Sequence, residues 1–242
     1  MRPKIAGERI ANVSPERRWL TVAILDLIDL SVPLREGIQT YPGDPQLAFS
    51  PHSTVGRDGF NLLNVHMGTQ TGTHVDAPFH FEDDAPTLDA LPLSRFLGPG
   101  VVADVREVGA RNPVTRKHLA GALAAVRPGT IVLLHTGWSR HFGTERYFDH
   151  PYLDADACRA LLDAGVRTIG IDAINLDETP DDDHPGVGFP VHHLIAQAAG
   201  VICENLTNLG AIRSAHPTVS LLPIAFAGTD GAPVRAVAYE ER

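Results

Sequence analysis

An α/β fold in a single domain is what this chain predicts, on three observations. Strand-like and helix-like segments alternate from residue 101 to residue 206. Strand-prone runs also occupy both ends of the chain, so the sheet extends beyond the alternating stretch. No low-complexity linker or repeat of about 20 to 50 residues divides the chain. Its 242 residues, 43% of them hydrophobic, suffice for one large core.

The elements follow in order. "SVPLREGIQTYPGDPQLAFSPHS", residues 31–53, sets short β-prone runs among Pro and Gly, and no long helix is expected between residues 21 and 90. "VVADV" (101–105) predicts a strand and "TRKHLAGALAAV" (115–126) a helix capped by Thr115, with Leu119, Leu123 and Val126 at helical spacing. "TIVLLHT" (130–136) is a strand, followed by the helix "DADACRALLDAG" (154–165) between Asp154 and Gly165. "VRTIGID" (166–172) is a strand, "PVHHLIAQAAG" (190–200) a helix opened by Pro190 and closed by Gly200, and "VICENL" (201–206) a strand. "SLLPIAFAGTDGAPVRAVAYE" (220–240) predicts two strands joined by a turn at Asp230-Gly231. The acidic run "DETPDDDHP" (177–185) reads as a solvated loop, with a lid or an ion site as the other meaning of such charge.

Composition narrows the function. A formal charge of -9 disfavours nucleic acid and anionic membrane as partners and leaves a small molecule. Two cysteines, Cys158 and Cys203, make neither a disulfide framework nor a CxxC metal site, and Cys158 reads as core filling. Charges interrupt the N-terminal "MRPKIAGERIANVSPERRWL", and Asp26 and Asp29 break "LTVAILDLIDL", so neither an export signal nor a membrane span is expected. A reducing cytoplasm fits these features.

The chemistry concentrates in "HMGTQTGTHVDAPFHF", residues 66–81. Pro and Gly oppose a helix there, and an extended chain would place His66, Gly68, Gln70, Gly72, His74 and Asp76 on one face. The two glycines leave room beside Gln70, His74 and Asp76 for an ion or a substrate. His74-x-Asp76 is a compact pair of metal ligands. Pro78 bends the chain before His80, which can then face substrate as a general base. Catalytic zinc takes about three protein ligands, and "FPVHHLIAQAAGVICENLTNL" supplies His192, His193 and Glu204. A carboxylate in the apolar "VICENL" needs a positive partner, and a metal is one. Spacing alone does not choose between His192 and His193.

"QTGTHVDAPFHF" resembles the HxGTHxDxPxHF signature of the cyclase-like metal hydrolases, which include bacterial kynurenine formamidase and isatin hydrolase. "DLSVPLREGIQTYPGDP", "GTIVLLHTGW", "GID", "HHLIAQAAGVICENLTNL" and "DGAPVRAVA" extend the resemblance over most of the chain from residue 26. It implies a single domain over 1–242 with residues 1–20 as an extension or arm, and a swivelling β/β/α core with mixed sheets. It matches His74, Asp76, His192 and Glu204 to metal ligands and His80 to the catalytic histidine. Gln70 stands where the formamidase pattern has histidine; as a ligand it would be neutral and weaker, opening a choice between one and two ions.

The activity implied is metal-dependent hydrolysis of a carbon–nitrogen bond in a small amide, formamide or lactam. N-formylkynurenine, giving kynurenine and formate in tryptophan catabolism, is the best-defined candidate. A lactone hydrolase or polyketide-type cyclase, and a metal-binding protein without hydrolytic activity, are the competing expectations. Zinc is the first expected cofactor and manganese the second, at one or two ions per chain. Tyr41, Phe79, Phe81 and Trp138 are candidate substrate walls, and a homodimer or higher homo-oligomer is the expected assembly.

Overall fold

The computed structural model describes residues 24–241. The expected arm over residues 1–20 lies outside them. The strands, in chain order, are β1 (Ile24–Asp29), β2 (Ala48–Ser53), β3 (Leu62–His66), β4 (His74–Asp76), β5 (Leu97–Asp104), β6 (Pro113–Val114), β7 (Ile131–His135), β8 (Tyr152–Leu153), β9 (Thr168–Ile171), β10 (Val201–Glu204), β11 (Thr218–Ser220), β12 (Gly231–Pro233) and β13 (Val237–Glu241). The helices are α1 (Val55–Asp58), α2 (Ala120–Ala125), α3 (Ala155–Asp163) and α4 (Pro190–Gln197). Nine strands form one mixed sheet in the order β1-β13-β11-β5-β7-β9-β10-β4-β12. The α/β expectation holds, and the first hundred residues carry only the four-residue helix α1 beside short 3₁₀ turns.

The alternating stretch supplies the centre of the sheet. Strands β5, β7, β9 and β10 pair in parallel through helical crossovers, and parallel strands covered on both faces are apolar throughout. Pleating then divides each strand between two cores. Val132, Leu134, Ile169, Ile171 and Ile202 pack with Ala157, Cys158, Leu161, Val191 and Ile195 of α3 and α4. Ile131, Leu133, Val201 and Cys203 face Leu30, Val75, Phe96 and Val219 on the other side. Burial pushes the Cys158 thiol up to about 12, consistent with a packing role.

Helix punctuation is partly as expected. The Asp154 carboxylate accepts hydrogen bonds from the Asp156 and Ala157 N–H groups, and Gly165 follows α3 at φ +89°. Pro190 is at the start of α4. Thr115 is not a cap: α2 begins at Ala120, because residues 116–119 form turns and the Thr115 N–H and hydroxyl engage His118 Nδ1 instead.

Two expectations are corrected at the ends of the sheet. Residues 66–76 are not one extended strand: the chain turns after β3, with the Thr71 N–H on the Gly68 carbonyl at 3.2 Å and Gly72 at φ +69°. That positive φ, which other side chains rarely adopt, is the reason glycine stands there. Asp230-Gly231 is not a hairpin turn. Gly231 starts β12, which lines the free edge of β4, whereas β13 pairs with β1 and β11 across the sheet. Backbone proximity explains this, since a Cβ at Gly231 would lie 2.5 Å from the Val75 carbonyl oxygen. No helix among the described residues is long and apolar enough to cross a membrane.

Replacing the α3 cap, Asp154→Ala, is expected to lower stability by about 1 kcal/mol. Urea denaturation followed by circular dichroism checks this.

Candidate metal centre

The parallel block ends at β10, and the sheet continues through antiparallel β4, which is hydrogen-bonded to β10 on one side and β12 on the other. The register puts His74 opposite Glu204, and pleating puts Asp76 on the same face as His74. From the first turn of α4, His192 reaches the same place. All four side chains are buried: His74 is 2% exposed, Asp76 4%, His192 4% and Glu204 5%. His74 Nε2 is 3.5 Å from Asp76 Oδ1 and 3.6 Å from Glu204 Oε2. His192 Nε2 is 3.4 Å from Glu204 Oε1 and 4.0 Å from Asp76 Oδ2.

Each imidazole is oriented from behind. His74 Nδ1 is 2.8 Å from the Gly72 carbonyl, so the proton must reside on Nδ1 and Nε2 presents a bare lone pair. His192 Nδ1 is 2.7 Å from Asp177 Oδ2, whose carboxylate also accepts the Val191 and His192 N–H groups. The Leu176 N–H fixes Glu204 Oε1 at 2.8 Å. The acidic run 177–185 therefore divides: Asp177 is buried support for the site, and residues 180–185 are the exposed loop expected of them.

These groups fit a divalent cation. His74 Nε2 is buried with no hydrogen-bond partner and looks onto two carboxylates, an arrangement that is repulsive until a positive charge enters. Ligand atoms of His74, Asp76 and Glu204 all lie within 4.8 Å of one another. With protein groups alone, burial opposes a charged His192, but the hydrogen bonds of Asp177 and Glu204 outweigh it and raise its affinity for a proton to about 10. The pocket thus attracts a cation. Two imidazoles and two carboxylates suit zinc or manganese.

Beside this centre a cavity of about 220 Å³ is lined in part by Tyr41, Gln70, His80, Phe81 and Phe189. The expected bend after Pro78 is a 3₁₀ turn, Pro78–His80, that delivers His80 to the cavity. Phe81 stacks 4.4 Å from His192 and 5.3 Å from Phe189, centroid to centroid. Gln70 is brought in by the turn rather than by a strand face. Its carboxamide oxygen accepts from the Thr69 hydroxyl at 2.7 Å, and its Nε2 donates to Asp230 Oδ2 at 3.0 Å and Asp76 Oδ1 at 3.4 Å. His66 is exposed on β3, and His193 is on the outer side of α4 against Glu82. Trp138 is not a cavity wall: it is 3% exposed in the core, its indole N–H on the Arg146 carbonyl. Phe79 does not line the cavity either.

Asp230 is the functional candidate that sequence reasoning passed over as a turn residue. Its Oδ2 is 3.1 Å from His80 Nδ1, and Thr69 and Gln70 donate to the same carboxylate. These bonds hold Asp230 well below the usual carboxylate range, with His80 the largest cause. Burial works against charge on His80, but the Asp230 bond and the charge of Asp76 prevail and raise it above the ordinary 6.5. Asn205, at φ +56°, is a second omission: it accepts from the Tyr147 hydroxyl and donates to the Gly72 carbonyl that also orients His74. The signal available for Asp230 was its place in "DGAPVRAVA", and for Asn205 its place directly after Glu204 in "HHLIAQAAGVICENLTNL".

The chain as a whole is similar to known proteins. The Cyclase family profile, described as "Putative cyclase", matches residues 28–178. A kynurenine formamidase of Bacillus cytotoxicus is 32% identical over 215 residues, covering 87% of this chain and 95% of its own length. The kynurenine formamidase of Bacillus cereus is 31% identical with the same coverage. Isatin hydrolase A from Labrenzia aggregata, bound to benzyl benzoate, superposes with a TM-score of 0.79 at 23% identity, covering 88% of this chain and 93% of that one. A structure described as a potential metal-dependent hydrolase with cyclase activity gives a TM-score of 0.74 at 25% identity, covering 91% of this chain and 100% of that one.

The support behind His192 generates a prediction. In Asp177→Asn the charge that holds and polarises the His192 Nδ1 proton is lost, and the Val191 N–H loses its acceptor when the amide oxygen stays on His192. Zinc affinity, measured by chelator competition, is expected to fall by about 10- to 100-fold while the circular dichroism spectrum is retained.

Proposed function

Because the chain belongs to the Cyclase family, we propose that it is a metal-dependent hydrolase cleaving a carbon–nitrogen bond in a small aromatic amide, formamide or lactam. Hydrolysis of an arylformamide of the N-formylkynurenine kind is its best-supported form. The observation that carries this reading is the orphaned His74 Nε2 facing two buried carboxylates beside the His80–Asp230 pair. The kynurenine formamidase relatives, which this chain matches over 95% of their length, support the choice of bond.

His74, Asp76, His192 and Glu204 would hold the ion. A divalent ion there supplies Lewis acidity that stabilises negative charge developing on a carbonyl oxygen. The remaining work falls to the chain's own groups. With its Nδ1 proton committed to Asp230, His80 keeps Nε2 free to take a proton from the attacking water as the carbon–oxygen bond forms. Breakage of the carbon–nitrogen bond returns that proton to the leaving nitrogen. Asp230 acts through His80, fixing its tautomer and stabilising the imidazolium between the two transfers. Phe81 and Phe189 offer an aromatic wall for an aryl ring.

One ion per chain, zinc before manganese, is part of the proposal. Gln70 turns its oxygen to Thr69 and its N–H groups to Asp76 and Asp230, which ties the ligand set to the His80–Asp230 pair rather than offering another ligand. The finer fold class, a swivelling β/β/α core, is supported by the parallel strands flanked by antiparallel ones. A cytoplasmic setting is supported by two buried free thiols. A homodimer is supported by the two-stranded β2–β3 ribbon, where Leu62, Leu63 and Val65 are 48%, 54% and 52% exposed. Sedimentation is expected to give a dimer that Leu63→Glu with Val65→Lys weakens; a wild-type monomer overturns that part.

Elemental analysis is expected to return about one zinc per chain, with formate released from N-formylkynurenine by the same sample. His80→Ala should retain the metal and lose about 10²- to 10⁴-fold in kcat. Asp230→Asn should retain the metal, lower kcat, and shift the acid limb of the kcat/KM profile downward, because the carboxylate that raises His80 is gone. Failure to bind divalent metal after reconstitution overturns the hydrolase reading.

A further inference from the structure

Tyr147 is 0% exposed and packs among apolar side chains that phenylalanine would serve as well. A hydroxyl buried there costs free energy unless it is bonded. Its one hydrogen-bond partner among the described residues is Asn205 Oδ1, at 3.0 Å.

Asn205 is engaged at every polar group. Its Nδ2 donates to the Gly72 carbonyl at 3.0 Å, its N–H donates to the Ala173 carbonyl at 2.8 Å, and its own carbonyl accepts from the Thr73 hydroxyl at 2.7 Å. Donor and acceptor chemistry dictates how its amide lies. The Gly72 carbonyl can only accept, so Nδ2 must face it, Oδ1 must face Tyr147, and the phenol must donate. The backbone is at φ +56°, a conformation asparagine adopts more readily than most residues.

The end of this chain of bonds is the acceptor that orients His74. Gly72 is at φ +69°, and glycine lets the peptide that follows it rotate at little cost. Rotation would take the carbonyl away from His74 Nδ1, now 2.8 Å distant, and with it the reason for the ring proton to stay there. Nε2 would then no longer present a bare lone pair toward Asp76 and Glu204. Asn205 opposes that rotation from two sides, through the Gly72 carbonyl and through Thr73, whose hydroxyl also accepts the Val32 N–H at 2.9 Å.

We propose that Tyr147 and Asn205 are positioning residues for the metal centre. The tyrosine orients the asparagine, the asparagine locks the Gly72 carbonyl, and that carbonyl keeps the His74 proton on Nδ1. The inference rests on His74 as a metal ligand and is independent of which bond the enzyme cleaves.

Two substitutions test it. Asn205→Gly removes the amide and suits the backbone at φ +56°, while Tyr147→Phe removes only the hydroxyl. Nitrogen-15 ring spectra of the metal-free protein under alkaline conditions are expected to show the His74 proton on Nδ1 in wild type and shared between both nitrogens in Asn205→Gly. Zinc affinity by chelator competition should fall about tenfold or more in Asn205→Gly and about three- to tenfold in Tyr147→Phe. In the double variant Tyr147→Phe should add close to nothing, because its hydroxyl acts only through Asn205. A His74 spectrum unchanged in Asn205→Gly overturns the proposal even if zinc affinity falls, since the loss is then one of general packing. Additive losses in the double variant overturn it as well. If the wild type binds no zinc, the metal-centre reading fails, and the ring spectra still decide whether Asn205 sets the His74 proton.

Discussion

Two buried carboxylates facing two imidazoles are the constraint around which this structure is organised. Asp76 and Glu204 are each at most 5% exposed, and burying two such charges without compensation would cost several kcal/mol each. A cation can meet that cost only if the four ligand groups are held in place beforehand, because side chains free to relax would turn away from one another. The surroundings perform this holding. The Gly72 carbonyl fixes His74, Asp177 fixes His192, and the Leu176 N–H fixes Glu204. Each support comes from backbone or from a side chain that is itself buried.

Sheet topology makes the convergence possible. A parallel sheet alone would carry its ligands at strand ends, along one rim. Here β4 runs antiparallel beside β10, and His74, the first residue of β4, pairs with Glu204, the last of β10, so the antiparallel neighbour adds its own ligands at the carboxyl end of the parallel block. The helix contributes through its first turn: Asp177 accepts two of the N–H groups left without intrahelical partners at the start of α4 while accepting the His192 proton. One carboxylate therefore caps the helix, sets an imidazole tautomer and anchors the beginning of an acidic loop. Arg111, paired with Asp149, Glu178 and Asp181, secures that loop further along.

Local pattern made the central strands, α3 and α4 legible, because each element there is periodic in its apolar residues and punctuated by Asp154, Gly165 or Pro190. His-x-Asp was legible for the same reason, since period two survives even in a three-residue strand. What escaped depended on contacts distant in sequence. Asp230 looked like half of a tight turn because Asp-Gly is strong turn chemistry, and only the approach of β12 to β4 reveals that its glycine is there for backbone proximity. Trp138 looked like a cavity wall because aromatic residues near a motif suggest substrate, whereas its ring fills the core. The long strand assigned to residues 66–76 failed at Gly72, whose positive φ has no signature in hydrophobic alternation.

The division between what is rigid and what is loop explains how one scaffold can serve different substrates. Proposed metal ligands lie on β4, β10 and α4, where register and burial leave no freedom. Groups lining the cavity beside them come from the Tyr41–Asp44 turn, the 3₁₀ turn at Pro78–His80 with Phe81 behind it, and Phe189 just before α4. Loops tolerate changes in length and side chain that a buried strand does not. Structures superpose on this chain with TM-scores of 0.79 and 0.74 at 23% and 25% identity, so the framework persists while most side chains change. Variation at these loop residues can reshape the cavity without disturbing the centre, whereas any change at His74 or Glu204 unbalances the charges buried between β4 and β10.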